Sequence, residues 1–190
     1  GQGTIRVTDA TAATGKQSLR FTDAPGIKFF NPHLVMFSGR KSPAGAYRFS
    51  VDVMNDKKSP ADIDIEFRDW SGKKILVGPQ LIVRPDGRLL LGASEGGDAD
   101  GTSLCQIPNG EWFNIDLRFS VTPEPGPQTF EITVRQNGQI RARKTNQPFL
   151  APNFRTLTWG GIVSAGEENA AFYVDNLLFR EETPVKAAIP

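Results

Sequence analysis

The chain has 190 residues, a length that suits one domain with its own hydrophobic core. Its 22 Lys and Arg balance 21 Asp and Glu, so it lacks the field that draws in a nucleic-acid backbone or an anionic membrane surface. Cys105 is the single cysteine, which excludes an internal disulfide, a thiolate metal cluster and a Cys/Cys redox pair, and no apolar run approaches the ~20 residues of a membrane-spanning helix.

The opening Gly1-Gln2-Gly3 has no charged stretch followed by an apolar one, as expected of a segment whose export signal was removed or lies upstream. Alternation of apolar and polar residues then predicts strands at 5–7, 18–21 and 34–37. It is clearest at 47–53, 63–67 and 113–121, each the pattern of a half-buried antiparallel strand. Further strands are predicted at 75–84, 88–91, 129–135, 140–144, 157–163 and 171–180. Turn chemistry marks the breaks: Ala24-Pro25-Gly26, Pro85-Asp86-Gly87, Asn109-Gly110, the Pro-rich 123–127 and Asn137-Gly138. Pro85-Asp86-Gly87 and Asn137-Gly138 read as hairpins. The Gly- and Asp-rich 95–102 reads as a mobile loop. About a dozen short strands without a helical period make an all-β, two-sheet antiparallel β-sandwich over residues 1–180, with 181–190 as a tail or linker.

Several local patterns follow one another in a telling order: Thr14-Gly15-Lys16-Gln17-Ser18-Leu19-Arg20-Phe21, Asn31-Pro32-His33-Leu34, residues 45–52, Gly78-Pro79-Gln80-Leu81 before Asp86-Gly87, residues 110–115, and Phe172-Tyr173-Val174-Asp175-Asn176-Leu177. In that order, over roughly residues 7–179, the chain resembles the jelly-roll, concanavalin A-like accessory and carbohydrate-binding domains of bacterial polysaccharide-degrading enzymes. The resemblance implies a secreted, periplasmic or cell-surface module of a larger enzyme chain, with a polysaccharide or oligosaccharide as partner and neither nucleic acid nor membrane.

Asp62-Ile63-Asp64-Ile65-Glu66 places three carboxylates on one face of a strand, ~6.6 Å apart per step of two residues. Paired carboxylates are what glycoside hydrolysis uses. The run also resembles the acidic strand of laminarinase and lichenase-type hydrolases, which implies Asp62 as nucleophile, Asp64 as assisting acid and Glu66 as acid/base. Asp62 departs from that pattern, being one methylene shorter than the expected Glu. The competing reading is a solvated polar face neutralised by Arg48, Arg118 or Arg135.

A sugar ring offers an apolar face to an aromatic side chain and hydroxyls to charged or amide groups. Trp70, with Arg68 and Asp69, stands where the acidic strand turns at Ser71-Gly72, and Phe29, Phe30, Asn31 and His33 form a second cluster. Both are candidate ligand contacts. Trp112 and Trp159 lie within strand patterns and are expected to pack. With one His and no Ser/His/Asp arrangement, nucleophilic triad chemistry has no support.

The resemblance further implies a structural Ca²⁺, held by Asp175 with the backbone oxygen of Lys16 and the carboxylate of Asp9. A β-bulge near Asp175-Asn176 is expected independently, because Phe172 and Val174 set one inward register and Leu177 and Phe179 the other. The alternative for Asp175 is a hydrogen-bonding role at that bulge. A second acidic loop, Asp98-Ala99-Asp100-Gly101, lacks the remaining ligands of a calcium loop. The reading is therefore a non-catalytic carbohydrate-binding module with calcium, against a diverged hydrolase using Asp62 and Glu66, or a structural protein-interaction sandwich.

Overall fold

A computed structural model describes residues 3–28, 30–42, 44–92, 101–124, 126–166 and 168–182, with the backbone alone for 39–42. The described residues form thirteen strands: β1 (Thr4–Thr8), β2 (Ser18–Asp23), β3 (His33–Ser42), β4 (Gly45–Asn55), β5 (Ile63–Asp69), β6 (Leu76–Val83), β7 (Arg88–Leu91), β8 (Ser103–Gln106), β9 (Phe113–Val121), β10 (Thr129–Gln136), β11 (Gln139–Pro148), β12 (Leu157–Ser164) and β13 (Ala170–Glu182). The described residues contain no helix. Seven strands form one antiparallel sheet in the order β1-β2-β13-β4-β9-β10-β11, and six form the other in the order β3-β12-β5-β6-β7-β8. The expected two-sheet sandwich of the jelly-roll kind is what the chain adopts.

Alternation decides which side chains meet between the sheets. Phe49, Val51 and Val53 of β4 and Ile115, Leu117 and Phe119 of β9 face inward from one sheet, and Ile63, Ile65 and Phe67 of β5 from the other. Phe67 locks the layers together: its ring centroid lies 4.9 Å from that of Phe119 and 5.5 Å from that of Phe49, the latter edge-on. These offset and edge-to-face contacts are the favourable aromatic geometries.

Both predicted hairpins form. At Asn137-Gly138 the two residues have φ of 51° and 76°, the left-handed pair a two-residue turn needs between β10 and β11. At Gly87, φ is 85°, and an added Cβ would stand 2.2 Å from the Ile107 carbonyl oxygen, so only glycine closes the β6–β7 turn.

Two expectations are amended. Ser103-Leu104-Cys105-Gln106, passed over in the sequence, is an edge strand on β7; four residues with exposed ends carry too short an alternation to be read. The last strand also runs two residues past 180, because Glu181 and Glu182 keep their pairing with Tyr47 and Ala46. The loop 95–102, the acidic loop at Asp98 and Asp100, and the tail beyond Glu182 fall wholly or largely outside the described residues.

Candidate functional site

Because Ile63, Ile65 and Phe67 take the core side of β5, Asp64, Glu66 and Arg68 are committed to the outer face of the six-stranded sheet. Register adds their neighbours. One row across the strands reads His33, Val163, Asp64, Ile82 and Leu90, the next Gly161, Glu66 and Gln80, and a third Ser38, Trp159 and Arg68. Buried Val163, Ile82 and Leu90 give this face an apolar floor.

The carboxylates are neutralised locally, though by partners other than those expected. Asp62 pairs with Arg84 at 2.7 Å, and Glu66, only 2% exposed, pairs with Arg68. Arg48, Arg118 and Arg135 instead surround Asp116 on the outer face of the opposite sheet. Asp64 lies between the two pairs. Its carboxyl is pushed up to about 7, first by burial and then by the neighbouring charges of Glu66 and Asp62, against which Arg84 and Arg68 pull only weakly.

Trp70 and Trp159 stack, with centroids 5.7 Å apart and planes 19° from parallel, and Arg68 lies over both rings at 5.8 and 5.0 Å. Trp159 is 6% exposed and Trp70 43%. Gly161 makes room for this arrangement, since a Cβ there would meet the Trp159 ring at 2.6 Å. Trp159 thus packs as expected, but on the outer face of the sheet. Two buried polar atoms on this acidic strand, Asp62 Oδ1 and Arg68 Nε, have no hydrogen-bond partner among the described residues.

Asp69 does not belong with them. Its side chain turns inward and is 2% exposed. Ser71 N–H at 2.8 Å, Ser71 O–H at 2.6 Å, and the Arg155 and Thr156 N–H groups at 3.1 and 2.9 Å all donate to it. Burial pushes its carboxyl up, yet these hydrogen bonds outweigh burial and hold it below the usual carboxylate range. Asp69 is the clamp that fixes the turn carrying Trp70. Strand parity separates it from Arg68, which is why adjacent residues diverge in role.

The second aromatic cluster divides. His33 is exposed, with Nδ1 2.8 Å from Asn31 Oδ1 and 3.1 Å from the Phe30 carbonyl oxygen. It shares its row with Asp64, two strand spacings or ~10 Å away. The sheet therefore brings the His33–Asn31 pair and the Arg68–Trp70 group onto one face. Phe29 lies outside the described residues.

The expected bulge is present: Asp175 pairs with Asp52 and Leu178 with Ser50, so Asn176 and Leu177 together oppose Val51, with Asn176 at φ 49°. The backbone N–H groups of Ala13 and Thr14 donate to Asp175 Oδ2 at 2.9 and 3.1 Å, and that of Asn176 to Oδ1 at 2.8 Å. Thr14 O–H also donates to Asn176 Oδ1 at 2.8 Å. Calcium requires converging oxygens, whereas three N–H donors converge here. No group of three or more His, Cys, Asp or Glu side chains placed to hold a metal is found among the described residues. The donor set does not fit calcium and does fit an anchor for the loop at 11–16. EDTA is therefore expected to leave the melting temperature unchanged, whereas Asp175→Ala should cost about 2 kcal/mol from lost charge-assisted hydrogen bonds. A melting temperature that drops with chelator would reinstate the ion.

No protein-family model and no curated protein matches the chain. Solved structures do. The catalytic domain of a glycoside hydrolase family 131 protein from Coprinopsis cinerea is similar at a TM-score of 0.56 and 12% identity, over 95% of this chain and 78% of that one. A cellulose-induced protein is similar at 0.53 and 14%, over 95% and 86%, and an alginate lyase at 0.51 and 12%, over 88% and 82%. These likenesses establish the fold. Within it, the contributions of Trp159, Gly161 and Gln80 to the outer face were missed in the sequence. The one available signal was Trp159-Gly160-Gly161, a bulky ring beside two residues without side chains.

Proposed function

We propose that the outer face of the six-stranded sheet binds a carbohydrate chain without cleaving it, as an accessory module of a larger exported polysaccharide-processing enzyme. The observation that carries this reading is the half-exposed Trp70, held flat on Trp159 and flanked by Arg68. An indole supported from behind offers a rigid apolar plate to the CH face of a sugar ring at little entropic cost. Similar folds in a glycoside hydrolase and an alginate lyase support the carbohydrate assignment by analogy.

Trp70→Ala is expected to weaken binding in a glycan array or affinity gel about tenfold, the scale of a hot-spot aromatic. Folding stability should fall by only about 1 kcal/mol, because the ring is half exposed. A variant destabilised by ~4 kcal/mol whose folded fraction binds normally would move Trp70 from the site to the core.

One observation favours a catalytic second reading. Asp64, whose carboxyl titrates near 7, retains a proton near neutrality, the property of a general acid. Hydrolysis of a β-glucan that disappears in both Asp64→Asn and Glu66→Gln would establish it, and we expect no such hydrolysis.

A further inference from the structure

The outer face of the seven-stranded sheet holds a second concentration of chemistry. Register sets Arg180 of β13, Arg48 of β4 and Arg118 of β9 directly opposite one another, at the ~4.8 Å spacing of adjacent strands. Like charges so placed oppose sheet formation, and the row persists because carboxylates are set among it. Asp116 accepts three hydrogen bonds from Arg48, at 2.5, 3.2 and 3.3 Å, and lies 3.7 Å from Arg118 and 4.0 Å from Arg135. Glu182 lies 3.1 Å from Arg180 and 3.9 Å from Arg118, and Glu131 stands opposite Arg118. Arg143, opposite Thr133, is exposed and forms no ion pair with a carboxylate among the described residues. Five arginines are thus grouped with three carboxylates, on a chain whose net charge is only +1.

The satisfied pairs leave donors over. The Arg118 and Arg180 side chains are each 53% exposed, and Asp116, Arg118, Glu131, Thr133, Arg135 and Arg143 line one shallow polar depression. We propose that this face binds an anionic glycan, a chain bearing carboxylate or sulfate groups, independently of the Trp70 face on the other sheet. Guanidinium forks match such oxyanions bidentately, and the interspersed Asp116 and Glu131 accept hydrogen bonds from sugar hydroxyls, which a purely basic patch would not offer. Nucleic acid fits less well. Tyr173 on this face is buried beneath Arg20 and offers no plate for base stacking, and the chain as a whole has no steering field.

The test is affinity electrophoresis of the whole protein in gels containing polygalacturonate, its fully methyl-esterified form, dextran sulfate or duplex DNA, each at low salt and at about 0.5 M salt. Retention is expected on polygalacturonate, dextran sulfate or both, which identifies the anion, with loss on the ester and at high salt. Arg118→Ser with Arg143→Ser should weaken retention at least about tenfold, and Arg143→Glu alone should weaken it as well. Trp70→Ala should leave it unchanged. Retention of the ester equal to that of the acid, DNA held as strongly as the glycans, no retention on either anionic glycan, or arginine variants that melt normally and bind like the parent would each overturn the proposal.

Discussion

Between pH 4 and pH 8 the protein is expected to lose stability as the pH rises, and Asp64→Asn is expected to remove most of that loss. The Asp64 carboxyl titrates near 3.8 in the unfolded chain and near 7 in the folded one. Over that interval the native state keeps a proton that the unfolded state has released, so unfolding becomes easier with each unit of pH. One unit of displacement corresponds to about 1.4 kcal/mol, and allowing for the partial access of water to Asp64 we expect a total of about 2–4 kcal/mol. Asp23, raised by burial despite its hydrogen bonds from Ser164 and Ala24, acts in the same direction. Asp69 and Asp86, both lowered, act in the opposite sense: their stabilisation is present above pH ~4 and lost as they are protonated below it. Stability should therefore peak on the acidic side of neutrality. Urea unfolding at pH 5 and pH 8 measures this directly, and equal stabilities for the parent at the two values would show that Asp64 ionises without cost.

Asp69→Ala should be the most damaging single change on the acidic strand, at about 3–5 kcal/mol, which corresponds to a melting temperature lower by roughly 10 °C. The substitution strands the N–H groups of Ser71, Arg155 and Thr156, which converge on one buried carboxylate. It also frees the turn bearing Trp70, whose own N–H is held by Thr158 Oγ1 at 2.7 Å. By contrast Asp62→Ala removes one ion pair with Arg84, whose side chain is 31% exposed, and should cost about 1 kcal/mol. Calorimetry of the two variants compares them, and equal losses would remove Asp69 from its role as the clamp.

The residues themselves determined more of the architecture than of the site. Tyr47 to Val53 and Phe113 to Val121 alternate so regularly that one face must be buried, and the glycines at 87 and 138 could occupy few positions other than turns. The bulge at Asp175 was legible for the same reason, since two inward registers on one strand cannot coexist without an extra residue. Side-chain parity also put Asp64, Glu66 and Arg68 together on one face, because a period of two acts within a strand. What parity does not encode is which strand lies alongside. Trp159 reaches Arg68 across about ninety residues of chain, Arg84 reaches Asp62 from the next strand, and the arginines expected near the acidic strand were carried to the opposite sheet. Strand order and register settled those partners, and with them the burial and neighbouring charges that push the Asp64 carboxyl up. Asp69 and Asp175 make the same point through the backbone. Both are surface-like residues in sequence, and each became an anchor only when a distant segment presented backbone N–H groups to it.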